Sequence, residues 1–202
     1  MERAKELAGD VAFADHPSFI KITNIPEGLK LIGKGRSACV FKIRHTKLAM
    51  KIFLPEYESL AIREANIYKR LKGTGYFPEL YEAGKGFLVM DYIEGKTFYD
   101  CVNEGIRINE TMIDEVDQAL NIARQKGLNP SDIHLRNLLL TKEGTIKVID
   151  VVRYEQTKKC RQWDDLKLAY YKYYSRKYFP KRLPKPLLET IAVMYKKKLF
   201  TI

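Results

Sequence analysis

Three oxygen-bearing side chains are spaced as if to meet. Asp132 and Asn137 lie five residues apart in "SDIHLRN", and Asp150 closes "TIKVID" thirteen residues after the asparagine. A loop carrying the first two, then a hairpin returning the third, would bring all three to one end of two strands. Such a set suits hard Mg²⁺, which takes one or two carboxylates and completes its shell with phosphate and water oxygens. Asp132 could then orient an attacking hydroxyl or accept its proton. Asp, Asn and Ser are also common turn formers, so the loop alone reads equally as a solvated turn. Asp150, at the end of an apolar strand, is harder to read that way.

A second group lies upstream. Lys51 sits in the apolar strand "LAMKIF", on the same face as Ala49 and Phe53 by strand alternation. A buried lysine needs a partner, because an unpaired buried charge costs several kcal/mol. Glu64 is the natural one, since it shares a helical stripe with Leu60, Ile67 and Leu71. The plain alternatives are an edge lysine that reaches solvent and a boundary glutamate. "GKGRSACV" (33–40) could cradle phosphate with its amides. Ala38 stands where a third glycine would complete the pattern, so this fragment alone fits a hairpin turn better.

The elements needed to carry these groups are legible. Residues 29–53 read as three strands joined by "KGRS" and "HTK", and 58–72 as a helix. "PELYEAG" and "GFLVMDY" form a hairpin with "GKG" at its tip. A short helix near 97–103 and a longer one near 110–126 follow. The longer one has Met112, Ile113, Val116, Leu120 and Ile122 or Ala123 on its apolar side, and Gly127 ends it. After the second hairpin come a helical "WDDLKLAYYKYYSRKY", a proline-marked break and a last helix "PLLETIAVMYKKK". A strand-rich first part with one helix meets a helical second part near "DYIEG".

Composition bounds the rest. The 202 residues are 46% hydrophobic and 11% aromatic, which indicates a globular chain. No apolar run reaches membrane-spanning length, and the N-terminus lacks the apolar core of a secretory signal. Cys39, Cys101 and Cys160 are far apart, which favours a reducing, cytoplasmic setting over a disulfide or zinc framework. His16 and His45 have no constellation around them and read as surface residues. Residues 151–202 hold 14 Lys and Arg against 4 Asp and Glu, nearly all of the net charge of +11. With seven of the thirteen tyrosines there as well, the tail could bind a polyanion such as nucleic acid. Packed tyrosines beside solvated lysines explain it better.

In order, these motifs resemble the protein-kinase-like superfamily across roughly residues 29–152. "LIGKGRSACVFK" resembles the glycine-rich loop, "LAMK" the lysine strand, and Glu64 the acid of the helix that follows. "VMDYIEG" is similar to the gatekeeper and hinge, "DIHLRN" to the catalytic loop, and "KVID" to the start of the metal-binding motif. "WDDLKLA" is a weaker match, to the helix whose aspartate, here Asp165, anchors the catalytic loop. The resemblance implies an α+β, two-lobed fold: an antiparallel-sheet N-lobe with one helix over residues 1–92, and a truncated helical C-lobe over 93–202.

It also implies roles. ATP would be bound by Ile32, Gly33, Lys34, Gly35, Ala38, Val40, Ala49, Lys51, Met90, Asp91, Ile93 and Leu139. Asn137 and Asp150 would hold Mg²⁺, and Asp132 with Lys51 and Glu64 would be catalytic. The short stretch after Asp150 resembles minimal RIO-like and bacterial serine/threonine kinases, so an unidentified protein is the implied substrate. Departures are visible. Pro130-Ser131 precede Asp132, Val151-Val152 follow Asp150, and His134 replaces the usual lysine. The absence of Phe-Gly after Asp150 implies a site without the usual switch. "DIHLRN" is also similar to the D-x-H-x-x-N of aminoglycoside and choline phosphotransferases, which keeps a small-molecule acceptor open. That acceptor would need acids near Asp132, for which Glu155, Asp164 and Asp165 are the candidates. Arg136 and His134 would steady the γ-phosphate, bind the acceptor or face solvent. A pseudokinase or basic nucleic-acid-binding module, keeping the fold without turnover, is the remaining alternative.

Overall fold

Short apolar stretches punctuated by glycine become strands, and the i, i+3, i+4 stripes become helices. The computed structural model describes residues 2–14 and 21–197. The chain divides into two units, residues 1–93 and 94–202.

The first unit opens with helix α1 (Glu2–Gly9) and an antiparallel pair, β1 (Ala12–Ala14) and β2 (Lys21–Asn24). Strands β3 (Leu29–Lys34), β4 (Ala38–Ile43) and β5 (Leu48–Phe53) follow. Then come a 3₁₀ turn, helix α2 (Glu58–Leu71), and strands β6 (Leu80–Gly84) and β7 (Phe87–Asp91). They form a five-stranded antiparallel sheet in the order β3-β4-β5-β7-β6. One face is closed by apolar packing: Phe41, Met50, Ile52 and Val89 are buried with Val11, and Leu7, Phe13 and Ile22 pack against them. Each such side chain contributes about 1.5–3 kcal/mol when buried. Helix α1 is an addition to the single helix expected in this part. Its Ala4, Leu7 and Ala8 lie against this core, a role that eight residues of weak pattern do not announce.

The second unit carries a three-stranded antiparallel sheet, β10-β9-β8, made of β8 (Gly95–Thr97), β9 (Leu138–Thr141) and β10 (Ile146–Val148). The expected hairpin is β9–β10, and β8 is a third strand that its three residues could not reveal. Gly95 is required there, because a Cβ would lie 2.3 Å from the Leu140 carbonyl oxygen. Helix α3 (Phe98–Glu104) starts on Thr97, whose Oγ1 accepts from Asp100 N at 3.1 Å. Helix α4 (Glu110–Gln125) starts on Asn109, whose side chain accepts from Met112 N. It buries Ile113, Val116, Ala119, Leu120 and Ala123, and Gly127, at φ 70°, follows its end.

Helix α5 (Gln162–Ala169) is shorter than the sequence pattern suggests. It passes into a π-helical turn over Tyr170–Tyr174, where Ser175 N donates to Tyr170 O at 2.8 Å. Tyr174 is buried there, and its hydroxyl accepts from Ile108 N at 3.2 Å. Tyr173 and Tyr178 stay exposed, so the tail tyrosines divide between packing and surface. The last helix, α6 (Lys185–Lys196), follows the proline-rich break. Among the described residues no helix is long and apolar enough to cross a membrane.

Candidate active site

In the first unit, strand register decides which side chains share a face. Val40 lies opposite Lys51, and Met90 opposite Ala49. Facing residues of antiparallel strands, and alternate residues within a strand, point the same way. Val40, Ala49, Lys51 and Met90 therefore line one face, and the apolar core of Phe41, Met50 and Val89 lines the other. Lys51 Nζ donates to both carboxylate oxygens of Glu64, at 2.9 and 2.7 Å. Glu64 is fully buried and Lys51 is 9% exposed. Neither is an edge residue reaching water. Each charge is held in place by the other, and breaking such a buried pair by removing one partner costs about 3–5 kcal/mol.

The glycine turn joins β3 to β4. A register shift lies between Leu31 and Gly33. Gly35 N donates to Ala38 O at 2.9 Å, and a Cβ on Gly35 would lie 3.2 Å from that same oxygen. Ile32, Lys34 and Gly35 are exposed, while Ala38 is buried. At the far end of β7, the Asp91 carboxylate accepts from Glu79 N at 2.9 Å and from the Tyr81 hydroxyl at 2.8 Å. The latter bond raises the Tyr81 pKa above the ordinary phenol value. Half-buried Ile93 follows two residues on.

In the second unit, Asn137 ends the loop and Leu138 begins β9. Leu138 pairs with Val148, and Ile149 N donates to Asn137 O at 2.9 Å. Asn137 and Asp150 thus flank the same end of one hairpin. Asn137 Nδ2 donates to Asp132 O at 3.0 Å. A carbonyl can only accept, so this bond fixes the amide nitrogen and turns Oδ1 away from that carbonyl. Ser131 is fully buried, and its hydroxyl donates to Asn129 O at 2.9 Å.

Backbone strain marks the same residues. Among the described residues three non-glycine positions are left-handed: His45 at φ 58°, Asp132 at φ 62° and Asp150 at φ 61°. Two of these three are aspartates singled out from sequence spacing. Such conformations cost about 1–3 kcal/mol and persist where the surroundings over-determine them, which happens most often at functional sites. Aspartate tolerates the region better than most residues.

Charge gathers here too. Arg153 Nε lies 3.4 Å from Asp132 Oδ2. Burial pushes the His134 imidazole below its ordinary pKa, while the Asp132 and Asp150 carboxylates pull it up. Both acids therefore act on one ring. Among the described residues no three His, Cys, Asp or Glu side chains converge as a metal site of their own. One carboxylate and one amide oxygen fit Mg²⁺ only if phosphate and water complete its shell.

Leu139 is buried on β9 of the second unit. Asp165 does not anchor the loop. It accepts from the Tyr195 hydroxyl at 2.7 Å and pairs with Arg161 at 3.8 Å. Burial and that bond push the tyrosine up to about 12. The cause is helical phase: Trp163 is the buried residue of α5, and two positions further is a turn of about 200°. Asn129 ties the loop instead. Its N donates to Tyr154 O at 2.7 Å, and its Nδ2 donates to Gln156 O and Lys158 O at 2.7 and 3.1 Å. Asp164 and Glu155 are exposed, as are His45, Lys196 and Lys197, while His16 and Lys198 lie outside the described residues.

No family model matches the chain. It is 50% identical over 202 residues to the Bacillus subtilis protein named "Putative serine/threonine-protein kinase YrzF", covering 99% of this chain and 94% of that one. The chain belongs to the protein-kinase-like superfamily. This membership makes it a phosphotransferase of the protein-kinase type. It is also 27% identical over 161 residues to Mitogen-activated protein kinase kinase 10 of Arabidopsis thaliana, covering 73% of this chain and 52% of that protein. With "Probable serine/threonine-protein kinase CPE1738" of Clostridium perfringens the identity is 32% over 141 residues, covering 61% of this chain and 21% of that protein. The chain thus spans about half and about a fifth of these two longer relatives.

Two contacts of this superfamily member escape sequence reading. Arg153 has a weak signal, a cation three residues after Asp150. The cluster of Tyr99, Arg136 and Glu189 has none, because it joins α3, the loop and α6 across 90 residues.

Proposed function

We propose that this protein is an ATP- and Mg²⁺-dependent protein kinase that phosphorylates serine or threonine. The observation that carries the reading is the pair of left-handed aspartates, Asp132 and Asp150, at a hairpin end that also bears Asn137. In this reading Lys51, held by Glu64, binds the α- and β-phosphates. The glycine turn of Gly33, Lys34 and Gly35, with Ile32 and Ala38, covers them. Val40, Ala49, Met90 and Leu139 contact the adenine, and the backbone near Asp91 and Ile93 reads its edge.

Asn137 Oδ1 and Asp150 would hold Mg²⁺, which neutralises phosphate charge when bound. Asp132 orients the acceptor hydroxyl and takes its proton as the new P–O bond forms and the bond to the β-phosphate breaks. Positioning and charge neutralisation supply most of the rate in such a transfer. The names of the relatives support serine/threonine specificity, and the reducing, cytoplasmic setting expected from the cysteines suits an ATP-dependent enzyme.

The test incubates the purified protein with Mg²⁺, γ-labelled ATP and dephosphorylated casein, beside Asp132→Asn and Lys51→Ala. Label on serine or threonine, lost in both variants, is expected. No label on any protein, with no thermal shift on adding MgATP, would sink the reading. Label that appears only on added choline or aminoglycosides would move the acceptor to a small molecule.

A further inference from the structure

The loop carrying Asp132 and Asn137 is held from outside as well as from within. Tyr99, on α3, makes three contacts around it. Its backbone N donates to Leu135 O at 3.0 Å, and its ring lies under the Arg136 guanidinium, 3.7 Å from the centroid. Its hydroxyl donates to Glu189 Oε1 at 2.5 Å. The same carboxylate oxygen pairs with Arg136 Nη2. Tyr99 is buried, so the plane on which the guanidinium rests is fixed. Glu189 sits on the last helix, α6. That helix and the segment before it are pinned to the unit at three other points. Leu183 N donates to Val102 O at 3.0 Å, Leu188 is buried, and the Tyr195 hydroxyl reaches Asp165.

An isolated, half-exposed ion pair contributes little. This one differs in that the cation is also stacked and the anion also accepts from a phenol, so the three groups fix one another. Arg136 immediately precedes Asn137, whose amide in turn holds Asp132 O. A guanidinium fixed at this point limits how the loop can move between its two functional side chains.

We propose that the C-terminal helix is part of the catalytic machinery. Glu189 and Tyr99 are positioning residues that clamp Arg136 and thereby hold Asp132 and Asn137 in register for phosphoryl transfer. The inference rests on the phosphotransfer reading above. Helix α6 is then no inert basic segment, because it contributes the acid that closes the clamp.

The test measures kcat, KM for ATP and amide hydrogen exchange of 131–137 in wild type, Glu189→Ala, Glu189→Gln and Tyr99→Phe. MgATP and casein serve as substrates, and circular dichroism checks folding. Glu189→Ala should lower kcat about tenfold, since small misplacements of catalytic groups are costly. Its KM for ATP should stay within about twofold, because Glu189 is not among the residues proposed to bind the nucleotide. Glu189→Gln, which keeps an acceptor oxygen, should recover most of the loss. Arg136→Ala with Glu189→Ala should be no worse than Arg136→Ala alone. A kcat unchanged or raised in Glu189→Ala, or additive losses in the double variant, would overturn the clamp. A raised rate would make α6 a brake. Wild type that transfers no label would sink the phosphotransfer reading instead. Loop exchange then still decides the clamp: faster exchange at 131–137 in Glu189→Ala supports it, and unchanged exchange removes it.

Discussion

The groups proposed to bind phosphate and those proposed to serve the metal and the acceptor are held by opposite means. In the first unit, Lys51 and Glu64 come from a strand and a helix, and each is fixed by burial against the other's charge. The order there is electrostatic and non-local. In the second unit, Asp132 and Asp150 keep strained backbones, and Asn137 bonds to the carbonyl of Asp132 five residues back. The order there is conformational and mostly local. The difference teaches that one activity can rest on two kinds of stored cost, an ion pair whose halves cannot be separated and a backbone that relaxes if released.

The contrast can be broken most directly at the two residues given the main roles. Lys51→Ala should cost about 3–5 kcal/mol of stability in urea unfolding, because Glu64 is left buried and charged. Asp132→Asn should barely change stability, since asparagine also tolerates a left-handed backbone. It should nevertheless lower turnover by about 10²–10⁴. If Asp132→Asn proved the more destabilising variant, the comparison would fail.

A sharper form replaces the whole pair. Lys51→Met with Glu64→Leu should regain most of the stability lost by Lys51→Ala, because well-packed apolar residues match a buried ion pair. Casein labelling by the double variant should stay absent. Restored labelling would mean that the pair serves the fold alone.

The strained side has its own signature. Asp150→Gly should stabilise the protein by about 1 kcal/mol, since glycine takes φ 61° without cost, while transfer is lost. His45→Gly, at φ 58°, is the control that should stabilise without touching activity. Equal losses of stability in both would remove strain from the account.

The smallest effect is in pH. His134 is held below its ordinary value of 6.5, first by burial, so the fold prefers the neutral ring. Below pH 6.5 the unfolded chain binds the proton first, and stability falls until pH passes the folded value. Glu189 is depressed from 4.5 by its bonds to Tyr99 and Arg136, so its contribution is lost only at lower pH. His134→Gln should flatten the stability profile just below pH 6.5, and Glu189→Gln should leave that window unchanged. Urea midpoints across pH 7 to 4 check both.

Much of this was written in the sequence. Lys51 within apolar alternation and Glu64 on a helical stripe pointed to one another, because an unpaired buried charge is too costly, although an edge lysine and a boundary glutamate fit the same pattern. The spacing of Asp132, Asn137 and Asp150 fixed a loop followed by a hairpin, since antiparallel register is a matter of counting. Tertiary structure decided the rest. The phase of α5 turned Asp165 toward Tyr195, and Asn129 took the tethering role, because a single residue's direction depends on which neighbour on its helix is buried. The N-terminal helix found its place only through the sheet face it covers. Glu189 and Tyr99 meet across 90 residues of chain, a distance over which composition and periodicity carry no signal, and only packing could bring that acid to the loop of Asp132 and Asn137.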